Sequence, residues 1–513
     1  MVATRLTRPL TGALLAALAL TACSAGSTSD PDDGDGTGPT ASTTEEALVA
    51  GLVAEPASLD FTTDTANAAV PQVLLVNIYE GLVKLGQDGE IEPALASSWD
   101  VSDDNLTYTF DLVEGAMFSN GAEMTADDVV FSIERVQNDW TGLLAAAMDV
   151  VASVEATSPT QVVVTLSQPS NNWLYNMTTR IGAVFSQTGI DDLASTPVGT
   201  GPYLLEEWNR GDSIVLSRRD DYWGEPPYFS EITLRYFDDG TALNNALITE
   251  TIDVIATVQA PEALAQFEGD EAFQIIEGTT NGEVLLSFNH RQPALQDVRV
   301  RQAIRHAIDK EALVATCWAG YGDLIGSHVP PTDPWYEDLA GVAPYDPDQA
   351  RALLETAGVS DLTLRLRLPT LPYATSCGQV VASQLEEVGI TVEQDTLEFP
   401  AQWVTEVFAD TRDYDMSIVA HVEPRDIPAL FGNPDYYLGY DSPVVQGLLA
   451  EADAGTPEEQ TAAMQEIARI LSEEAAADWL FLLPNLIVAE ADITGLPENA
   501  IGEAFDLTLL ARS

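Results

Sequence analysis

The segment of residues 421–428 brings together the side chains with the most evident chemistry. Imidazole and carboxylate groups together suit nickel or zinc, so His421, Glu423 and Asp426 form a candidate site for a metal or a metal chelate. The guanidinium of Arg425 can hold a carboxylate through two parallel hydrogen bonds. The alternative is that Arg425 pairs with Glu423 or Asp426 on a solvated loop, where such a pair contributes little stability.

The predicted elements place this segment directly after a strand. Tyr414 to Ala420 is predicted as a strand, and it follows a short helix predicted near Trp403 to Phe408. Tyr436 and Tyr437 come shortly after the segment, and tyrosine side chains combine a wide contact area with a hydroxyl group. Both tyrosines therefore join the candidate ligand-binding residues.

An α/β unit is predicted upstream of this strand. Asp346 as N-cap, Pro347 in the first turn, an apolar face and a terminal Gly358 together predict a helix. Alternating leucines predict a strand over Leu362 to Leu368, and a second helical pattern then leads to the strand Ile390 to Val392. Strand, helix and strand predict a βαβ unit, and so an α/β region with a largely parallel sheet.

The first part of the chain is predicted to be mixed α+β and more antiparallel. Its strands are predicted at Leu106–Leu112, Val162–Leu166, Ile214–Leu216 and Ile232–Phe237.

Two acidic pairs, Asp127 with Asp128 and Glu458 with Glu459, begin helical patterns. They are therefore interpreted as helix caps and not as catalytic carboxylates.

The sequence contains no motif for enzyme chemistry. There is no nucleophile elbow, Walker loop, HExxH, CxxC or Ser-x-x-Lys pattern. The histidines, His290, His306, His328 and His421, are far apart and lack the short spacing typical of zinc ligands. We therefore expect a protein that is not an enzyme and carries no cofactor.

The charge balance excludes two classes of partner. The 513 residues include 81 acidic and 21 basic side chains, a formal net charge of −60, and the only lysines are Lys84 and Lys310. Such a chain repels nucleic acids and anionic lipid headgroups, since both bind mainly through Lys and Arg. The hydrophobic content of 46 % is typical of a folded protein. The length predicts roughly three domain-sized units.

The amino terminus has the pattern of an export signal. Two arginines precede the apolar run Leu10–Leu20, which is too short to span a bilayer but suits a signal peptide. The run leads into Leu20-Thr-Ala-Cys23, which resembles the bacterial lipobox, so residues 1–22 are expected to be removed and Cys23 to be lipidated. Residues 23–46 predict a flexible acidic tether. The protein is expected on the outer face of the cytoplasmic membrane, held by its lipid.

Two further cysteines are candidates for a disulfide. If the chain is exported, Cys317 and Cys377 lie where paired thiols normally oxidise. A bond between them would close a loop worth about 4 kcal/mol on the loop-entropy model. Two buried free thiols are the alternative.

Several strings in the chain resemble the bacterial extracellular solute-binding proteins of family 5, the oligopeptide, dipeptide and nickel-binding group. They are Tyr79–Val83, Pro93–Trp99, Leu106–Phe110, Thr125–Arg135, Pro197–Tyr203, Asp221–Trp223, Asp297–Ala303 and Pro484-Asn485. Each string is weak alone, but their order and spacing extend over nearly the whole body, from about residue 47 to the C-terminus.

The resemblance implies an α/β, bilobed periplasmic-binding-protein-like fold of type II, in the large cluster with an extra subdomain Ib. On this basis lobe I is expected to comprise residues 47–60, 195–275 and 478–513. Subdomain Ib would span 61–194, and lobe II would span 276–477.

The resemblance also implies a function. The chain is expected to be a monomeric receptor of an ABC importer that captures a peptide-like solute by closing its lobes, then delivers it to the permease and its ATPase. The alternatives are the same receptor class for a metal chelate or an oligosaccharide, and a ligand sensor.

The resemblance points to ligand-binding residues in both lobes. In peptide-binding relatives an aspartate in the matching lobe II loop, often after Gly-Trp, pairs with the ligand's α-ammonium. Here the Gly-Trp is missing and the acid is displaced, so Glu423 or Asp426 would take that role. In lobe I, Glu55 and Ser58 belong to a segment that resembles a family segment near the cleft.

Overall fold

The computed structural model describes residues 46–53, 55–63, 69–140, 143–237, 239–409 and 411–513. The predicted signal peptide, the lipidation site Cys23 and the tether as far as residue 45 lie outside these residues, so those three features stay predictions. Among the helices of the described part, none has the length and apolar composition that crossing a bilayer requires.

The described strands are, in chain order, β1 (Ala47–Leu52), β2 (Val83–Leu85), β3 (Ile91–Pro93), β4 (Ala96–Val101), β5 (Thr107–Leu112), β6 (Val151–Ser158), β7 (Gln161–Leu166), β8 (Tyr203–Asn209), β9 (Ser213–Arg218), β10 (Glu231–Tyr236), β11 (Val254–Ile255), β12 (Phe273–Phe288), β13 (Thr363–Pro369), β14 (Thr391–Leu397), β15 (Met416–His421), β16 (Ala477–Glu490), β17 (Ile493–Thr494) and β18 (Ala511–Arg512).

The described α-helices are α1 (Ala69–Leu74), α2 (Ala126–Asp139), α3 (Asn171–Asn176), α4 (Gly240–Ile248), α5 (Val298–Ala307), α6 (Lys310–Cys317), α7 (Pro347–Ala357), α8 (Pro372–Glu387), α9 (Ala401–Trp403), α10 (Ile427–Leu430), α11 (Pro443–Ala454) and α12 (Pro457–Glu473).

One mixed sheet of ten strands forms the frame of the body, in the order β14-β13-β15-β12-β16-β11-β1-β10-β9-β8. We call the end with β11, β1, β10, β9 and β8 half A, and the end with β14, β13 and β15 half B. A separate antiparallel sheet, β4-β5-β7-β6, forms the small-sheet region together with α2 and α3. Its antiparallel pairing confirms the prediction for the first part of the chain.

Each of these regions has its own apolar core. Leu48 and Ile232 are fully buried in half A, Leu366 and Val381 in half B, and Phe110 in the small-sheet region. Burial of these side chains is the main driving force that holds the strands and helices of each region together.

Two long strands, β12 and β16, connect the halves. They pair with each other in antiparallel fashion along most of their length, with a shift in register between Thr279 and Glu283. After the shift, Glu283 lies opposite Leu482 of β16 on one side and opposite His421 of β15 on the other. The shift therefore separates the part of the β12–β16 pair that borders β11 of half A from the part that borders β15 of half B.

The predicted βαβ unit is confirmed. Asp346 caps α7 by accepting a hydrogen bond from the backbone of Gln349, and the helix ends at Gly358, whose φ of 72° is left-handed. Strands β13 and β14 are parallel, and α8 lies between them in the chain. Alternate residues of β13, such as Leu364 and Leu366, are buried because one face of the strand meets the core.

Half B differs from the predictions in three respects. The strand predicted over Tyr414 to Ala420 comprises Met416–His421, and it includes His421 because that residue still pairs with β12. The pairing of β15 with β12 is antiparallel, so the parallel pairing of half B stops at β15, and parallel pairs recur only in half A among the described strands, where β1 pairs with β10 and β11. The short helix predicted near residue 403 consists of α9 and a π-helical turn, Val404–Phe408.

A buried ion cluster holds α5 and α6 against β16. Nε of Arg305 and Nζ of Lys310 lie 3.2 and 2.8 Å from the same carboxylate oxygen of Asp478. The side chains of Arg305 and Asp478 are 1 % and 0 % exposed, and that of Lys310 is 11 % exposed. Removing one member of such a cluster would leave an uncompensated buried charge.

Cys317 and Cys377 are joined by a disulfide, with their sulfur atoms 2.06 Å apart. The bond links the end of α6 to α8 at the core of half B, where Cys377 is fully buried. This is the first of the two arrangements considered from the sequence.

Candidate functional site

The side chains of His421, Glu423 and Asp426 lie together at the end of β15. One possible ligand atom from each of the three lies within 4.8 Å of the others. Strand β15 positions His421, and the turn that leads into α10 positions the two carboxylates. The structure therefore brings together the three residues that the sequence analysis considered as a group.

Asp426 is the centre of this group. Its Oδ1 accepts a hydrogen bond from Nε2 of His328 at 2.7 Å. Its Oδ2 lies 3.6 Å from Nδ1 of His421 and has no hydrogen-bond partner among the described residues, although the atom is buried. One oxygen of this carboxylate is thus occupied, and the other is available to a donor from a ligand.

His328 is held in one tautomer by its neighbours. The indole N–H of Trp479 donates to Nδ1 of His328 at 3.2 Å, and an indole nitrogen can only donate. The proton on the other nitrogen, Nε2, therefore points to Asp426. Burial alone would lower the pKa of His328, but the carboxylates of Glu283 and Asp426 outweigh it and raise the pKa to about 9. A second proton, on Nδ1, would have to displace the hydrogen bond from Trp479.

His421 is neutral at physiological pH. Burial lowers its pKa to about 4, against the opposing effect of Asp426. Its Nε2 lies 2.9 Å from the hydroxyl of Tyr437, which in turn lies 2.7 Å from Oγ of Ser287. This chain of polar contacts fixes the ring of His421 beside Asp426.

Glu283 is a member of the site that the sequence analysis missed. It is 3 % exposed and faces His421 across the β12–β15 pair. Its Oε2 is buried without a hydrogen-bond partner among the described residues. Burial raises its pKa to about 8, with Asp426 acting in the same direction and His328 opposing it. The signal available in the sequence was a charged residue at the start of the apolar run from Val284.

Arg425 has a different partner from those considered in the sequence analysis. Its Nε lies 3.2 Å from Oδ1 of Asp333, so the acidic partner of Arg425 is Asp333 and not Glu423 or Asp426, the partners named in the alternative interpretation of the sequence. The guanidinium carbon lies 3.7 Å from the ring centroid of Tyr175 and 4.7 Å from that of Trp335. Because Tyr175 belongs to α3, Arg425 joins half B to the small-sheet region.

Glu423 lies near a second ion pair, which Arg180 forms with Glu503. Burial raises the pKa of Glu423, Asp426 adds to this effect, and Arg180 opposes it. Arg180 is paired with Glu503, Nη2 to Oε1, at 2.8 Å, and both side chains are less than 10 % exposed. Tyr436 lies close enough for Asp426 and Glu423 to add to the effect of burial, which raises its pKa.

Glu55 and Ser58 are not brought into this group. The carboxylate of Glu55 accepts hydrogen bonds from the indole N–H of Trp208 at 2.9 Å and from the backbone of Gly211 at 3.0 Å. Oγ of Ser58 accepts one from the backbone of Asp60 at 3.1 Å. Within the described residues, these hydrogen bonds join parts of half A and do not reach segment 421–428.

A second set of contacts joins the small-sheet region to half B. Asp453, in α11, accepts hydrogen bonds from Oγ of Ser170 at 2.8 Å and from the backbone of Asn172 at 3.0 Å. Nδ2 of Asn171 donates to the carbonyl oxygens of Ala452 and Gly455 at 2.9 and 2.8 Å. We call the contacts of these residues the α3–α11 latch.

Sequence comparison identifies related proteins. Residues 90–438 match the family described as Bacterial extracellular solute-binding proteins, family 5 Middle. The glutathione-binding protein GsiB of Salmonella paratyphi A is 30 % identical over 310 residues, which cover 58 % of this chain and 59 % of GsiB. The chain therefore matches somewhat more than half the length of this relative.

Solved structures share the fold. The periplasmic binding protein DppA of Helicobacter pylori, in complex with the peptide STSA, has a TM-score of 0.80 and 22 % identity, and the match covers 91 % of this chain and 98 % of DppA. NikA of Staphylococcus aureus, in complex with Ni(L-His)2, has a TM-score of 0.78 and 20 % identity, and the match covers 91 % of this chain and all of NikA.

These likenesses confirm the bilobed α/β fold expected from the sequence. The related proteins bind substrates and are not enzymes, in agreement with the empty search for catalytic motifs. Since the family match extends over more than half of the chain, the protein belongs to the bacterial extracellular solute-binding proteins of family 5.

Proposed function

We propose that the protein captures peptide-like solutes between its lobes and delivers them to the permease and ATPase of its importer. The observation that carries this proposal is the buried Oδ2 of Asp426, which has no hydrogen-bond partner among the described residues. An α-ammonium group supplies three N–H donors and a positive charge, and so it satisfies this oxygen and the neighbouring carboxylate of Glu423.

The other candidate residues have supporting roles in this proposal. The Nη atoms of Arg425 would hold a carboxylate of the solute, because its Nε is already used by Asp333. Tyr436 and Tyr437 would provide contact area beside the carboxylates. Glu55 and Ser58 would act from lobe I as residues of the opposite wall.

The proposal also includes the boundaries and the anchor expected from the sequence. Lobe I would comprise residues 47–60, 195–275 and 478–513, subdomain Ib 61–194 and lobe II 276–477. The protein would act as a monomer on the outer face of the cytoplasmic membrane, attached through a lipid on Cys23. Changing Cys23 to Ser should release the protein from the membrane fraction into the medium, whereas Ser24→Ala should leave it bound.

Native mass spectrometry of the chain, purified from the membrane in detergent, tests the choice of solute. Co-purified masses spaced by amino-acid residues are expected. Asp426→Asn should lose them because the ammonium partner loses its charge, whereas Asp103→Asn, a change at an exposed turn, should retain them. A single non-peptide mass that survives Asp426→Asn would refute the peptide proposal.

A metal chelate is the second candidate, and the arrangement of His421, Glu423 and Asp426 is the observation that favours it. Their ligand atoms lie within 4.8 Å of one another, and the neutral imidazole of His421 suits nickel. Calorimetry with Ni²⁺ and L-histidine provides the test. His421→Ala should abolish the signal, and His306→Ala should not. An unchanged signal in His421→Ala would exclude this candidate.

A further inference from the structure

The proposed site contains more carboxylates than cations. Glu283, Glu423 and Asp426 form what we call the carboxylate cluster. The arginines nearest to it already have acidic partners, since Arg425 pairs with Asp333, and Arg180 pairs with Glu503. His328 is the remaining basic side chain beside the cluster among the described residues, and its Nε2 donates to Asp426.

Two oxygens of the carboxylate cluster are buried without a partner among the described residues, Oε2 of Glu283 and Oδ2 of Asp426. A buried carboxylate oxygen without a donor is costly, and the cost disappears when a positively charged donor binds. Both oxygens therefore mark positions for N–H groups of a ligand.

The cluster has two distinct ends. Glu423 and Asp426 follow the end of β15 and belong to the group whose possible ligand atoms lie within 4.8 Å of one another. Glu283 lies on β12, in the middle of the large sheet, opposite His421. A single ammonium group at Glu423 and Asp426 leaves the end with Glu283 unsatisfied.

We propose that Glu283 forms a second cationic subsite, so that the protein prefers solutes that carry two positive charges close together. This inference rests on the proposed function, in which Asp426 and Glu423 receive the α-ammonium. A peptide whose first residue is lysine or arginine has the required chemistry, since its side chain places a second cation near the first. A compact diamine has the same chemistry without the peptide.

The charge of the cluster also predicts which solutes are rejected. An acidic side chain at the same position of the solute would face Glu283, and beside Glu283 the described residues offer no Lys or Arg without an acidic partner. Two like charges close together are unfavourable when both are shielded from water. Peptides that begin with glutamate are therefore expected to bind less well than those that begin with a neutral residue.

Calorimetry on the full chain in detergent tests the inference with a matched pair of peptides. Lys-Ala-Ala and its Nε-acetyl-lysine counterpart have the same α-ammonium and nearly the same length, but acetylation removes the second charge. We expect Lys-Ala-Ala to bind at least about tenfold more tightly, which corresponds to about 1.4 kcal/mol. Glu283→Gln should reduce this ratio to less than about twofold, and Glu451→Gln, at an exposed position, should leave it unchanged.

Thermal unfolding of the ligand-free variants shows whether the substitution keeps the fold. At pH 9, above the pKa of Glu283, the substitution Glu283→Gln removes a buried charge whose Oε2 has no hydrogen-bond partner among the described residues, so the unfolding temperature of the variant should be higher than that of the parent chain. A lower temperature would mean that the carboxylate is already satisfied inside the protein, which would overturn the inference.

The binding outcomes separate this inference from the proposed function. Equal binding of both peptides would overturn the second subsite and leave peptide capture standing. A third outcome is that 1,5-diaminopentane binds while neither peptide does. If Glu283→Gln then lowers the affinity for the diamine, the second subsite is supported and peptide capture is refuted. Failure of all three probes to bind would overturn both.

Discussion

The guanidinium carbon of Arg425 lies 3.7 Å from the ring centroid of Tyr175, and this contact joins half B to the small-sheet region. A guanidinium over an aromatic ring contributes about 0.5 to 2 kcal/mol, and more when water is excluded. Arg425 is thus both a neighbour of the carboxylate cluster and part of the contact between two regions that must come together around a solute.

Changing Tyr175 to Leu tests this contact. The substitution removes the aromatic face but keeps an apolar side chain, and it leaves the ion pair of Arg425 with Asp333 intact. We expect solute affinity to fall roughly 3- to 30-fold, in line with the loss of a cation–π contact. Calorimetry with the co-purified solute measures the affinity of both variants. The control is Tyr345→Leu, a change at an exposed tyrosine, which should leave the affinity unchanged. Unchanged affinity would contradict the role of Tyr175.

The α3–α11 latch gives a second prediction about closure. Each lost hydrogen bond costs about 0.5 to 1.5 kcal/mol, so Asn171→Ala should shift the balance toward the open form. The expected results are weaker solute binding and a larger radius of gyration in small-angle scattering at partial saturation. Asp453→Ala should have a similar effect, whereas Asp453→Asn keeps one acceptor oxygen and should be milder. A radius that does not change in either alanine variant would argue against the latch.

Reduction of the disulfide should lower the stability of half B. The bond between Cys317 and Cys377 closes a loop with a sequence separation of 60 residues. On the loop-entropy model this constraint contributes about 4 kcal/mol. Denaturant unfolding with and without dithiothreitol should show the difference, and a variant with both cysteines changed to serine should not respond to the reductant. Two free thiols in the unreduced, unfolded chain would refute the bond.

The lowered pKa of His290 predicts that the protein loses stability in acid. Burial, reinforced by the charge of Arg301, lowers its pKa in the folded protein to about 4, from 6.5 for an exposed histidine. The unfolded chain therefore binds a proton at a higher pH than the folded chain does. The contribution of His290 to the free energy of unfolding decreases as the pH falls from 6.5 to about 4, by at most about 3 kcal/mol.

The test for His290 is a comparison of pH profiles. Glutamine at position 290 can still donate to the carbonyl oxygen of Ala476, which lies 2.8 Å from Nε2 of the histidine. Denaturant unfolding of the parent chain should lose more stability between pH 6.5 and pH 4 than unfolding of His290→Gln. Parallel profiles would show that the pKa of His290 is the same in the folded and the unfolded chain, which would contradict the prediction.

The sequence predicts well those elements whose signals are local. Helix α7 carries its N-cap, its first-turn proline and its terminal glycine between Asp346 and Gly358, and the structure places each of them as expected. The leucines of β13 show which face is buried because the side chains of a strand alternate. Neither conclusion needs knowledge of the rest of the chain.

The candidate site could be predicted only in part because its members come from separate segments. His421, Glu423 and Asp426 are close in sequence, and they were recognised together. His328 was dismissed as isolated, yet its ring centroid lies 5.9 Å from that of His421. Their proximity depends on the packing of half B around Trp479 and Phe431, which no local pattern records.

The buried ion cluster of α5, α6 and β16 has a practical consequence for labelling. The sequence contains two lysines, and the cluster holds the amine of Lys310 against Asp478. The other, Lys84, has a side chain that is 36 % exposed in strand β2. Amine-reactive dyes should therefore modify the folded body at Lys84 alone among its side chains. The protein thus carries a natural single position for a fluorescent reporter, without any engineered cysteine.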